Sequence, residues 1–140
     1  MKLAVCIPNY NRPEKLYRLL RGMADQIVQG DLTDQVEICI SDDKSPESPD
    51  KVVSQIRRFY PDVRIVYQVN EKNRGMDYNF LQSVMLSGAE YCWIVGNDDE
   101  PEENGLKTIL CYLSDSAADI LVSPFHIYDE EGWILLTIDP

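Results

Sequence analysis

Four short runs rich in apolar residues, Leu3–Pro8, Val36–Ile40, Val63–Val69 and Tyr91–Val95, punctuate this chain, and a stretch of helical spacing follows each. That alternation constrains the fold more than any other feature. Runs without strict inside–outside alternation suit strands covered on both faces, as in parallel sheets. Strands alternating with helices then give a mostly parallel sheet with helices on both faces, a three-layer α/β/α arrangement.

The helical stretches carry their own punctuation. Pro13 opens the first, with Glu14 in its first turn, where proline and acids are favoured. Leu16, Leu19, Leu20, Met23 and Ile27 form its inner stripe, and Gly30 ends it. Ser48 and Pro49 read as the cap and first residue of a second helix, with Val52, Val53, Ile56 and Phe59 inward and Pro61 as the stop. A third begins near Asp77, carries Phe80, Leu81, Val84 and Met85, and closes at Gly88. A fourth begins at Pro101, with Leu106, Ile109, Leu110 and Leu113 inward. Ile120–Pro124 reads as a fifth strand and Trp133–Ile138 as a sixth, after a turn over Asp129–Gly132.

A length of 140 residues fits one domain, and 44% hydrophobic residues can build its core. Acids outnumber bases 24 to 13, for a net charge of -11, which argues against a nucleic-acid surface. A metal ion between acids and a small phosphorylated ligand is compatible with that balance. No apolar run approaches the roughly 20 residues a bilayer span needs, and the N-terminus is too short in apolar residues for a signal peptide. None of Cys6, Cys39, Cys92 and Cys111 falls in a C-x-x-C pair. Three lie in runs read as buried strands, so reduced thiols acting as small hydrophobes are expected, in a cytoplasmic protein.

Three polar clusters each follow a strand: Asn9-Tyr10-Asn11, Ser41-Asp42-Asp43 and Asn97-Asp98-Asp99-Glu100. Parallel strands bring all three to one sheet edge, and ligands of such sheets bind beyond the carboxyl ends of the strands, where strand order reverses. The acids after Gly96 admit two readings. Acids favour a helix N-terminus, a task Glu102 and Glu103 can fill. Adjacent carboxylates also suit Mg²⁺ or Mn²⁺, which take hard oxygen ligands. Asp42 and Asp43 can serve a turn, or accept a hydrogen bond from the N–H of a base. Tyr10 can pack, or stack on a base.

Four stretches together resemble a known family. Val5-Cys6-Ile7-Pro8-Asn9-Tyr10-Asn11-Arg12-Pro13 resembles the opening of family 2 glycosyltransferases, which have the Rossmann-like GT-A fold that binds nucleotide-sugars. Ile40-Ser41-Asp42-Asp43-Lys44-Ser45 is similar to their second signature. Asn73-Arg74-Gly75-Met76-Asp77-Tyr78-Asn79-Phe80 is similar to a third, in the abequosyltransferase-like branch of surface-polysaccharide assembly. Gly96-Asn97-Asp98-Asp99-Glu100 takes the place of the metal-binding DXD-type motif. The resemblance spans essentially the whole chain.

The resemblance implies roles at matching positions. Pro8, Asn9 and Tyr10 would line the nucleotide pocket, with Tyr10 beside the base. Asp43 would bind the base edge, Arg74 the phosphates or base, and Asp98 the ribose. Asp99 would hold a Mn²⁺ or Mg²⁺ ion that bridges the diphosphate. The implied activity is inverting transfer of a sugar from a nucleotide-diphospho-sugar to a saccharide or lipid-linked acceptor, in the cytoplasm or on the cytoplasmic face of a membrane.

The family's general base lies well downstream of the metal motif, in an acceptor-shaping half. Here Asp129, Glu130 and Glu131 read as a hairpin turn, and His126 as a strand-end histidine without a ligand. The expectation is a single domain over residues 1–140 that forms the donor-binding half, truncated before the acceptor half and without the base. The apolar run Trp133–Ile138 would then pair with another copy of the chain. A non-catalytic nucleotide-sugar binding module is the alternative. A response-regulator receiver would place its acid pair after the first strand, where Asn9-Tyr10-Asn11 stands, and a dinucleotide-binding domain would need a G-x-G-x-x-G that the chain lacks.

Overall fold

A computed structural model describes residues 1–115, 119–122, 124–129, 131–132 and 134–138. Four strands, β1 (Leu3–Asn9), β2 (Val36–Asp42), β3 (Arg64–Val69) and β4 (Tyr91–Ile94), form one sheet in the order β3-β2-β1-β4, with every pair parallel. The central strands explain their own sequences. Ala4, Val5, Cys6 and Ile7 of β1 and all of β2 are buried, as expected of strands flanked on both edges and covered on both faces. β2 runs two residues beyond the expected Ile40. Ser41 and Asp42 are buried strand residues rather than a turn, because β1 runs on beside them and pairs Pro8 with Ser41 and Asn9 with Asp42.

β4 departs from the expected buried strand. It lies at the sheet edge, and Cys92 and Ile94 are exposed while Tyr91 and Trp93 are half-buried. Cys92 is therefore not the buried thiol the apolar run suggested, and Cys111 is exposed as well. Cys6 and Cys39 are buried free thiols opposite each other in the β1–β2 register. Contact with the Cys39 thiol, and then burial, push the Cys6 thiol up and keep it protonated.

Helix α1 (Pro13–Gln29) buries Leu16, Leu19, Leu20, Met23, Ala24 and Ile27, the expected stripe. A Cβ at Gly30 would meet the Gln26 carbonyl oxygen at 2.9 Å, so close approach rather than a left-handed backbone requires glycine there. Helix α2 (Asp50–Phe59) starts one residue later than expected, with Pro49 as its N-cap and the Ser48 Oγ accepting from the Asp50 N–H. Its inner face is Val53 and Ile56, and Phe59, expected inward, is 62% exposed. Tyr60 takes over instead, its hydroxyl donating to Asp25 on α1 at 2.7 Å.

The largest correction concerns α3 (Met76–Met85). Its apolar residues were expected inward, yet Leu81 is 67% and Met85 78% exposed, while Asn79 and Ser83 are buried. Phe80 and Val84 are half-buried. The sheet face beneath offers the small side chains Ala4, Cys6 and Cys39, with Val84 and Leu86 packed against them. Small residues on both surfaces let helix and sheet approach closely. The polar atoms turned inward are satisfied, since Ser83 Oγ donates to the Phe80 carbonyl at 2.7 Å and Asn79 joins a network described below.

Helix α4 (Gly105–Asp115) starts four residues after the expected Pro101. Asn104 has φ 63°, which interrupts a helix, and Gln26 of α1 supplies the cap by accepting from the Leu106 N–H and donating to the Glu102 carbonyl. Leu106, Leu110 and Leu113 are buried as expected.

The chain divides into two compact units, Met1–Leu110 and Cys111–Pro140. The second contains an antiparallel pair, β5 (Phe125–Tyr128) and β6 (Ile134–Ile138). The expected fifth strand at Ile120–Pro124 is not one: Ile120, Leu121 and Val122 are exposed and irregular, and Ser123 lies outside the described residues. Proline at 124 donates no ladder bond, and the strand begins just after it, where β6 provides a partner. The expected turn is present, with the Glu131 N–H donating to Asp129 Oδ1 and Gly132 at φ 87°. Glu130 and Trp133 lie outside the described residues. His126 stands within β5 and its Nδ1 meets Thr137 Oγ1 at 2.9 Å. Among the described residues no helix is long and apolar enough to cross a membrane.

Candidate functional site

From β1 the chain steps outward to β2 and β3, then returns to lay β4 on the other side of β1. Strand order reverses between β1 and β4, and a doubly wound sheet opens its crevice at the carboxyl ends of such a pair. Asn9 closes β1 there and Gly96–Glu100 follows β4. Asn9 is 1% exposed and joins the three polar clusters. Its Nδ2 donates to Asp42 Oδ1 at 2.7 Å, and its Oδ1 accepts from Asn97 Nδ2 at 2.7 Å. Asp42 also accepts from the backbone N–H and the hydroxyl of Ser45, and Ser45 Oγ accepts from the Asn11 N–H. Asp42 is thus a buried acid held by three donors, a structural role. Pro8 is half-buried within β1, and Tyr10 follows β1 with its side chain 46% exposed.

Asp43, 3% exposed, holds a different loop. Its carboxylate accepts from the Arg74 N–H at 2.9 Å, the Gly75 N–H at 2.8 Å and Asn70 Nδ2 at 3.0 Å. Gly75, at φ 88°, lets the chain turn into α3 where a Cβ would strain the backbone. The Arg74 guanidinium lies over the Tyr78 ring, 4.6 Å from its centroid, which fixes a long side chain through a cation–π contact. The structure therefore brings Asp43 and Arg74 together, through the arginine's backbone.

The acidic loop is organised around Gly96. Asp99 Oδ2 accepts from the Gly96 N–H at 2.7 Å, and Asp98 Oδ1 comes to the same residue. A Cβ at Gly96 would lie 3.0 Å from Asp99 Oδ2 and 3.3 Å from Asp98 Oδ1, so two carboxylates converge on the space a side chain there would take. Asp98 is already charge-compensated by Arg12 and by Lys15 at 3.7 Å, and Glu100 by Arg18 at 3.6 Å. Asp99 is exposed, and among the described residues no cation pairs with it. No three metal-ligating side chains group together among the described residues. A pair of hard carboxylates still fits Mg²⁺ or Mn²⁺, because such ions take one or two protein carboxylates and fill the rest with water and substrate phosphates.

Sequence reasoning left Asn70, Asn79, Asn97 and Arg12 without roles, and each one ties two segments of the site. Their one visible signal was position, since Asn70 and Asn97 follow strands and Asn79 stands in the third signature.

The sequence model of glycosyl transferase family 2 matches residues 4–138. The chain belongs to glycosyl transferase family 2. It is 40% identical over 120 residues to the abequosyltransferase RfbV of Salmonella typhimurium, a match that covers 86% of this chain and 34% of that protein. The abequosyltransferase-like resemblance therefore holds for most of the chain, while the chain spans about a third of this family 2 relative. Two solved structures share the fold. One is the mannosyltransferase PcManGT of Pyrobaculum calidifontis in complex with GDP-Man and Mn²⁺, with a TM-score of 0.73, 18% identity, and 91% of this chain and 36% of that one covered. The other is S. aureus TarS 1–349 in complex with UDP, with a TM-score of 0.70, 24% identity, and 82% of this chain and 32% of that one covered. The sheet with helices on both faces is thus the GT-A architecture of family 2.

Proposed function

We propose that this chain forms the donor-binding part of a glycosyltransferase, which takes a nucleotide-diphospho-sugar with Mn²⁺ or Mg²⁺ and serves inverting transfer to a saccharide or lipid-linked acceptor. The observation that carries the reading is the convergence of Asn9, Asp42 and Asn97 at the β1/β4 crevice, with the Asp43 and Asp98–Asp99 carboxylates on flanking loops of the same edge. The UDP in the TarS complex and the GDP-Man and Mn²⁺ in the mannosyltransferase complex support a nucleotide-sugar donor and a divalent ion.

Each residue then has a task. The exposed Tyr10 ring offers a stacking face for the base. Asp43, whose oxygens already order the Arg74 loop, accepts from a base N–H. Arg74, braced on Tyr78, offers a cation to the diphosphate. Asp98 would approach the ribose and Asp99 would hold the metal, which when bound supplies Lewis-acid stabilisation of the charge that builds on the leaving diphosphate. Inverting transfer also requires a base that takes the acceptor proton, and no residue of this chain is assigned that role.

Calorimetric titration with UDP, CDP and GDP, with and without Mn²⁺, tests the reading. Metal-enhanced binding of one nucleotide is expected. Absence of binding by all three in both conditions would overturn it.

A further inference from the structure

Asn79 is 2% exposed on the inward face of α3, beside the ends of β1 and β2. Asparagine is a poor helix former, so neither propensity nor burial accounts for it. Its hydrogen bonds do. Asn79 Nδ2 donates to the Asn9 carbonyl at 3.1 Å, and its Oδ1 accepts from Ser41 Oγ at 2.7 Å and Asn70 Nδ2 at 3.2 Å. The orientation of the amide is dictated, because a backbone carbonyl can only accept. Asn9 ends β1, Ser41 stands near the end of β2 and Asn70 follows β3, so one helical side chain ties the carboxyl ends of three adjacent strands.

The tie reaches further. The Asn70 amide is shared between Asn79 Oδ1 and Asp43 Oδ1, and the Asp43 N–H donates to the same Asn9 carbonyl that Asn79 holds. Asp43 in turn accepts from the Arg74 and Gly75 N–H groups. A continuous path of hydrogen bonds runs from Asn79 through Asn70 and Asp43 to the loop that carries Arg74.

We propose that Asn79 is a positioning residue of the nucleotide site: through Asn70 and Asn9 it orients the Asp43 carboxylate and so orders the Arg74–Gly75 loop. The proposal rests on the donor-site reading given above. A local sequence choice that disfavours the helix yet completes a polar network is what a functional position produces.

The test compares Asn79→Leu, which keeps the branching at Cγ, enlarges the side chain and removes its hydrogen bonds, with Ile56→Val, a core truncation in α2. Amide exchange of Arg74 and Gly75 is followed by NMR, and the dissociation constants of UDP, CDP and GDP with Mn²⁺ are measured on the same proteins well below their unfolding temperatures. Asn79→Leu should speed exchange at both amides at least tenfold and weaken the bound nucleotide at least tenfold. Ile56→Val should lower the unfolding temperature and change neither. Should the leucine variant not fold, Asn79→Ser is read in the same way. Unchanged exchange at Arg74 and Gly75 would overturn the proposal, as would faster exchange with unchanged nucleotide affinity. If the unmodified chain binds none of the three nucleotides, the donor-site reading fails, and the exchange comparison still decides whether Asn79 orders the loop.

Discussion

Asn9 and Asn97, 88 positions apart in sequence, meet side chain to side chain at 2.7 Å across the ends of β1 and β4. The contact sits at the reversal of strand order, where the sheet would otherwise open. Because Asn9 Nδ2 also donates to the buried Asp42 carboxylate, the crevice is braced by a single amide that uses both its ends. Truncating it takes one of three donors from the buried Asp42 carboxylate and removes the acceptor that the Asn97 amide uses. A buried group left without its partner costs about 1–3 kcal/mol, more when charged.

Asn9→Ala should therefore lose on the order of 3 kcal/mol of stability, and Asn97→Ala less, since only one neutral contact goes. Urea unfolding checks this. The midpoint should fall for both, further for Asn9→Ala, at an unchanged slope. Equal midpoints for wild type and Asn9→Ala would remove Asn9 as the brace.

Asp43→Ala should weaken a free nucleoside as well as the diphosphate, because the lost interaction is at the base, and the diphosphate further through the loop that carries Arg74. A charge-assisted hydrogen bond is worth about 1.5–3 kcal/mol, which corresponds to roughly tenfold or more in affinity. Equilibrium dialysis of uridine, cytidine and guanosine against both proteins decides, and an unchanged nucleoside affinity would exclude Asp43 from the base pocket.

Arg12→Ala tests the acidic loop from the other side. Arg12 and Lys15 pair with Asp98, next to the Asp99 carboxylate proposed to hold the cation. Removing the arginine should lower the Mn²⁺ concentration for half-maximal nucleotide binding. The pair is half exposed, so the effect is small, up to about fivefold for a surface ion pair of 0.2–1 kcal/mol, and should shrink at high salt. A rise in the Mn²⁺ requirement would show that Arg12 assists the ligand rather than opposing the cation.

The parts legible in the sequence are those that one segment encodes alone. The runs of β1 and β2 announce strands because their neighbours cover them, and the polar residues behind them mark the edge where the site forms. The stripe on α1 is complete in its own periodicity. What stayed hidden depends on distant partners. Nothing near Asn79 says that α3 turns it to the sheet, because its acceptor and donors lie in Asn9, Ser41 and Asn70. The late start of α4 depends on Gln26, 80 positions upstream. Asp43 reads in sequence as an acid of a local turn or an acceptor for a base, and the N–H groups it holds come from 31 and 32 positions on.

Asp99→Ala should abolish the Mn²⁺-dependent gain in nucleotide affinity and leave the fold intact, since the side chain is exposed. Circular dichroism and the same titrations check both halves, and an unchanged metal dependence would take the metal role from Asp99. That substitution removes charge and geometry together, so a second one separates them. Gly96→Ala keeps every carboxylate. Gly96 does not adopt a left-handed backbone, so alanine brings no φ penalty, and a smaller unfolded-state entropy should hold stability level or raise it by about 0.4–1 kcal/mol. The new Cβ, however, would stand 3.0 Å from Asp99 Oδ2 and 3.3 Å from Asp98 Oδ1, and the carboxylates must move apart by a few tenths of an ångström. Asp99 would also loosen its bond to the Gly96 N–H, which holds the side chain in its present rotamer. If the two acids act as a preformed pair, Gly96→Ala should weaken Mn²⁺-dependent nucleotide binding several-fold while its melting temperature holds or rises. Thermal unfolding and Mn²⁺ titration on one preparation give both numbers. A variant with wild-type metal dependence would mean that the spacing set at Gly96 is irrelevant, and that the charge of the loop alone attracts the ion.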